Sequence, residues 1–260
     1  MQRVALFGGA YSNWLATEEV VADARRRGAE EIWFLGDAGG FGPHPDRTVE
    51  ALRSLPVRCI QGNYDDSIGH EKDDCACGYT DPRDNEYARI SYAYTLAHTS
   101  TENRAWLAAL PASTRIRVGR RTVQLCHGSP RRVNEFLWES TTPAGFVAAQ
   151  CDTVDADAIA CTHTGLHWAR WLPDGRGIVN VGAIGRPAND GRHEVWYTLL
   201  EEQDGHLVHM FVPIAYDWST LAKEMRAEGL PPEFVETIET GWWTTCMEIL
   251  PARERSRGLH

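Results

Sequence analysis

The chain has no excess of positive charge. Its 26 Lys and Arg residues face 36 Asp and Glu, a formal net charge of -10 over 260 residues. Phosphate backbones and anionic membrane surfaces are attracted by basic patches, so neither nucleic acid nor a membrane surface is an expected partner. Long apolar runs are also lacking, since no stretch approaches the ~18 apolar residues of a membrane span. The opening MQRVALFGGA carries one charge and runs into Tyr11, Ser12 and Asn13, too short and polar for a secretory signal. The expectation is a cytoplasmic protein. Cysteine is sparse and odd in number: seven residues, at positions 59, 75, 77, 126, 151, 161 and 246, exclude a dense secreted disulfide scaffold and read mostly as buried thiols. Cys75 and Cys77 differ, as a C-x-C in a polar, acidic stretch. Neither an internal repeat nor a low-complexity linker is visible. A content of 43% hydrophobic residues supports a proper core and excludes disorder as the main state.

The first half alternates strand and helix. Val4–Phe7, Ile32–Leu35 and Val57–Ile60 read as buried strands, separated by a helix capped by Asn13 that runs to Arg27 and another from Pro45 to Ser54. Strands separated by helices imply parallel crossovers, and ligands then gather in loops beyond the carboxyl ends of the strands. The polar stretches 8–13, 36–42 and 62–66 lie there. Residues 65–86 read as an insertion: eight acids against Lys72 and Arg83 place -6 of the net charge in 22 residues. Helices are expected at 85–98 and 102–109, a hairpin at 115–125, and strands at 156–161, 168–172, 177–181, 194–200 and 206–212. Helices near 216–228 and 232–247 close a single domain over residues 1–250, with 251–260 as a frayed tail.

Four polar clusters stand where strands end: Gly36-Asp37, Gly62-Asn63-Tyr64-Asp65, His127-Gly128-Ser129-Pro130 and Thr162-His163-Thr164. The glycines let backbone crowd a small centre, and the side chains offer a carboxylate, an amide oxygen and two imidazoles, a metal-binding set. Taken singly each is weak; as an ordered series they are not.

The series G-D, G-N-x-D, H-G-S-P, x-H-T-x, together with Asn180-Val181-Gly182-Ala183-Ile184-Gly185-Arg186-Pro187, resembles the calcineurin-like metallophosphoesterases, especially their small bacterial and archaeal phosphodiesterase branch, over about residues 3–187. The resemblance implies an α/β fold of two mixed β-sheets packed as a sandwich flanked by helices, in four layers α/β/β/α. It also implies a two-metal site bridged by an aspartate at Asp37, with Asn63, His127 and His163 on the second metal.

The departures are confined to one side of that site. The family opens with D-x-H, where this chain has Gly9 and Tyr11; its closing G-H-T-H ends here in Gly165; and its G-N-H-D histidine is Tyr64. Random decay would damage both halves, so this pattern implies a reshaped centre with one divalent transition metal, Mn, Fe or Zn. The expected activity is hydrolysis of a small phosphomonoester or phosphodiester, with Tyr64, His167 and Tyr11 as acid-base participants and Arg131, Arg132 and Arg186 neutralising phosphate. A phenol, with pKa near 10, is a weak acid-base group at neutral pH unless its surroundings shift it. Three alternatives stay open. The first site is refilled from Tyr11, Tyr64, His70, His167, Cys75 and Cys77, where thiolates favour a softer metal. Two His and one carboxylate hold non-haem iron for redox chemistry. Or the chain is an inactive ligand-binding homologue.

Overall fold

Alternation along β1 sets the layering. In the computed structural model, which describes residues 2–256, Val4 and Leu6 of β1 (Arg3–Phe7) pack toward a second sheet while Ala5 and Phe7 pack under helices. β1 pairs in parallel with β2 (Glu31–Phe34), and β2 with β3 (Arg58–Cys59). The connecting helices are α1 (Trp14–Arg26) and α2 (Pro45–Ser54); Asn13 caps α1 by accepting from the Ala16 amide at 3.1 Å. β9 (Val195–Gln203) and β10 (His206–Ile214) extend this sheet antiparallel on the other side of β1, giving the order β10-β9-β1-β2-β3.

The second sheet has the order β4-β5-β6-β8-β7, from the hairpin β4 (Ser113–Val118) and β5 (Arg121–Cys126) through β6 (Ala158–Cys161) and β8 (Gly177–Val181) to β7 (His167–Trp171). Ala158 and Ala160 of β6 face the first sheet; Ile159 and Cys161 face away, in a cluster with Val147 and Cys151 of α6 (Ala144–Val154). The result is the expected four-layer arrangement, with α1 and α2 outside one sheet and α6 outside the other.

The acidic segment 65–86 begins inside α3 (Asn63–Gly69) and ends in α4 (Pro82–Ala97), and its Asp65 and Asp84 are buried. Two expectations are corrected. The final long helix stops at Thr240, as α8 (Pro232–Thr240) after α7 (Trp218–Ala227), because Gly241 turns left-handed at φ 74° and ends it. The tail is ordered through residue 256: α9 (Ala252–Arg255) carries buried Glu254, which accepts from the Ser140 amide at 2.8 Å and its hydroxyl at 2.6 Å. Residues 257–260 of that expectation lie outside the described residues. The remaining helix is α5 (Thr101–Ala108).

Candidate metal centre

The loops that follow β1, β2, β3, β5, β6 and β8 meet at one end of the sandwich, and two glycines let them touch. Gly36 has φ 96°, and a Cβ there would lie 2.6 Å from the Gly62 Cα; a Cβ on Gly62 would lie 2.9 Å from His127 Cε1. Asp65, fully buried, ties the loops together. Its Oδ2 accepts from the Asp37 and Gly62 amides and its Oδ1 from the Ala38 amide, each at 2.8 Å. Burial and the nearby Asp37 charge push the Asp65 carboxyl up to about 6, against the pull of those three amides.

Asp37 follows β2, His127 follows β5 and His163 follows β6. All three are buried, and one ligand atom from each lies within 4.8 Å of the others. The His127 Nδ1–H donates to the Leu35 carbonyl at 2.7 Å, which aims Nε2 at Asp37 Oδ2, 3.1 Å away, and at His163 Nδ1, 3.2 Å away. Burial alone would raise the Asp37 carboxyl and lower the His127 imidazole, but their mutual attraction outweighs it, so Asp37 is held down and His127 up. His163 is pushed down to about 3 by burial and by His127, so it is a neutral imidazole.

Asn63 opens α3 beside this cluster. Its Nδ2 donates to the Cys75 carbonyl at 2.8 Å and faces Cys77 Sγ at 3.6 Å, while its Oδ1 is buried and accepts no hydrogen bond. A buried amide oxygen without a donor is costly, and a cation would satisfy it. The set of one carboxylate, one orphaned amide oxygen and two imidazoles therefore fits a divalent transition metal. Asp37, His127 and His163 can hold one, and a positive ion among them would also relieve the crowding of the Asp37 and Asp65 carboxylates.

A cavity of about 60 Å³ opens against Asp37 and His163, with Tyr11, Tyr64 and Arg186 on its wall. Phe41, Tyr79, Tyr87, Phe234 and Cys246 also line it, and the Phe41 and Phe234 rings pack tilted by 31° with centroids 4.7 Å apart. Tyr11, Asp37, Phe41, His163 and Cys246 all have positive φ, so five of the eleven such non-glycine residues among those described surround this one space. Strain of that kind persists only where the surroundings over-determine it, and it gathers at functional sites. The Tyr64 hydroxyl donates to Ser91 Oγ of α4 at 3.0 Å, and Ser91 also accepts from the Phe41 amide at 2.7 Å. Burial drives the Tyr11 and Tyr64 phenols well above their ordinary pKa, so both are protonated donors rather than bases.

The vanished first-metal positions are filled. A Cβ on Gly9 (φ 52°) would lie 2.8 Å from Tyr11 Cζ and 2.8 Å from Ala183 Cβ, so the phenol ring occupies the space a side chain at Gly9 would need. A Cβ on Gly165 would meet the Trp243 ring at 3.0 Å and the Arg186 guanidinium at 3.6 Å. Glycine at 9 and tyrosine at 11 are thus one coupled change. Gly9→Asp is expected to destabilise the protein by about 1–3 kcal/mol and to add no second ion. Urea denaturation and metal analysis check both; a stable variant that gains an ion would contradict the steric account.

Other expected participants lie elsewhere. His167 does not line the cavity: its ring packs against Trp196 at 4.4 Å and Phe211 at 4.8 Å, because residue 167 starts β7 and faces the opposite sheet. Arg131 is exposed and paired with Glu135, and with Arg132 it lines a separate surface groove beside Ser129 and Pro130. Cys75 and Cys77 are bonded to each other as a disulfide and buried, and His70 is exposed and held by Asp66 at 3.0 Å, so these three do not rebuild a metal site. Sequence reasoning missed Asp65 as the loop clamp, although it is the last residue of the G-N-x-D cluster, and missed Tyr79, Trp243 and Cys246, which no motif marks.

Comparison with known proteins agrees with the geometry. Residues 3–205 match the family model described as calcineurin-like phosphoesterase superfamily domain. A protein of Methanocaldococcus jannaschii is 25% identical over 258 residues, covering 92% of this chain and 98% of its own length. The crystal structure of a metallophosphoesterase from Sphaerobacter thermophilus is 27% identical, with a TM-score of 0.70 over 92% of this chain and 99% of that one. A hypothetical protein of Pyrococcus horikoshii is 20% identical and shares the fold, with a TM-score of 0.77 over 94% of this chain and all of its own. Two mixed five-stranded sheets, an Asp-His-His cluster at their converging loops and a family model that runs through all three residues lead to one assignment: the chain belongs to the calcineurin-like phosphoesterase superfamily.

Proposed function

We propose that the protein hydrolyses a small phosphomonoester or phosphodiester at a mononuclear centre held by Asp37, Asn63, His127 and His163. The observation that carries this reading is the buried Asp37–His127–His163 cluster beside an amide oxygen with no donor, opening on a small cavity that also holds a cation, Arg186. A divalent metal held there would polarise a phosphoryl oxygen as a Lewis acid and would lower the pKa of a water toward neutrality. His127 is oriented by the Leu35 carbonyl, which keeps its Nε2 turned to the centre. Neutral His163 presents Nδ1 to the same point. Asp37 places its second oxygen on the Tyr64 amide at 3.0 Å, which fixes the carboxylate's rotation. Tyr11, protonated by burial, donates a hydrogen bond to a substrate oxygen from the cavity wall, while Tyr64, whose hydroxyl is given to Ser91, shapes that wall. Arg186 offsets phosphate charge. The cavity's ring-lined wall suits a small molecule.

Metal analysis of the purified full chain, paired with an aryl phosphodiester assay, tests this. One equivalent of Mn, Fe or Zn with chelator-sensitive cleavage is the expected result. Two tightly held ions would refute the mononuclear centre, and a single iron that consumes oxygen without cleaving the ester would favour redox chemistry instead.

A further inference from the structure

We infer that Arg186 is a fixed cationic seat for a tetrahedral oxyanion, able to hold a phosphoryl group in the cavity without a metal ion. The inference rests on the phosphoester reading for the identity of the anion, not for its binding. Arg186 is only 6% exposed, and its side-chain partner among the described residues is Cys246 rather than a carboxylate. Arginine is seldom buried without a carboxylate partner, because an uncompensated charge in a low-dielectric interior is costly.

Aromatic rings cover the face of Arg186, and the Cys246 side chain reaches part of its edge within hydrogen-bond distance. The guanidinium carbon sits 3.6 Å from the Trp243 ring centroid and 5.8 Å from those of Tyr11 and Phe41. Cation–π contact satisfies the flat face, but the five N–H groups lie in the guanidinium plane and need acceptors there. The buried Nε–H has none. The stacking platform is itself fixed: the Trp243 indole N–H donates to the Pro187 carbonyl at 2.7 Å and its amide to Asn189 Oδ1 at 2.8 Å. Beside the same space stands the Tyr11 phenol, which burial keeps protonated and so able to donate, while the Tyr79 hydroxyl is turned to Cys246. A forked cation with an unmatched in-plane donor, beside a neutral O–H group, is suited to a compact anion with several oxygens. The compact, ring-lined cavity accommodates a phosphate- or sulfate-sized group.

The test titrates the chelator-treated full chain with inorganic phosphate by isothermal calorimetry. One-to-one binding in the absence of metal is expected, with Arg186→Gln weakening it by about 10- to 100-fold. Asp37→Asn removes negative charge from the same cavity and is expected to preserve or tighten phosphate binding while losing metal. Absence of phosphate binding to the chelator-treated protein, or equal affinity in Arg186→Gln, would overturn the seat. Should Arg186→Gln not fold, the Nε–H resonance of Arg186 in nitrogen-15-labelled wild type serves instead. It is expected to shift and saturate with phosphate, whereas a purely structural stacked arginine would leave it unmoved. A protein that binds phosphate through Arg186 yet neither takes up metal nor cleaves an ester keeps this inference and loses the proposed function.

Discussion

Asp65→Ala is expected to cost about 3–5 kcal/mol of stability, a loss that only a few kinds of substitution produce. The alanine would strip the shared acceptor from three amides, those of Asp37, Ala38 and Gly62, in a place water does not reach. Each unsatisfied buried N–H carries roughly 1–3 kcal/mol, partly recovered by local relaxation. The loops that carry Asp37 and Asn63 would also come apart, so metal affinity should fall although Asp65 offers no ligand atom to the cluster. Asp65→Asn keeps one acceptor oxygen but turns an NH2 toward an amide, and an intermediate loss is expected. Urea denaturation at neutral pH measures both. A change below about 1 kcal/mol for the alanine would show that the loops are held by something else.

His127→Ala should abolish metal retention and lower any phosphoesterase activity by at least about 100-fold. The imidazole supplies the Nε2 at the centre of the cluster and spans the gap between the Leu35 carbonyl and Asp37. Without it, Asp37 loses the opposite charge that holds its carboxyl down, and both buried carboxylates face an empty space. His167→Ala is the matched control. That ring packs between Trp196 and Phe211, so the substitution should reduce stability by packing loss and leave metal content unchanged. Elemental analysis of the two variants decides the matter. A His127→Ala protein that still holds one equivalent of metal, or a His167→Ala protein that holds none, would reverse the roles assigned to these histidines.

The contrast between the two histidines shows where the chain's order stops being informative. His163 and His167 are four residues apart, and spacing alone leaves both within reach of a common centre. The strand β7 begins at His167 and alternates its side chains, so the ring is carried to the inter-sheet side while His163, in a left-handed turn at φ 67°, is carried to the loop end. The arginines divide in the same way. Arg131 is captured by Glu135 on the surface, whereas Arg186, in the turn after β8, is folded beneath Trp243, a residue 57 positions later (243 minus 186) that no motif connects to it.

By itself the sequence determined the sheet-and-helix alternation of the first half, the placement of Asp37, Asn63, His127 and His163 at strand ends, and the absence of a carboxylate or imidazole at 9, 11 and 165. These are local properties: hydrophobic period, glycine turns and residue type are written contiguously in the chain. Only the tertiary structure decided that Tyr11 fills the space beside Gly9, that the acidic segment gives up Asp65 to the interior, that Cys75 and Cys77 bond to each other, and that Arg186 stands as a buried cation on the same cavity wall as Asp37. Each of these depends on which distant side chain reaches a shared volume first, and packing at crystal-like density settles that through contacts between residues tens to hundreds of positions apart.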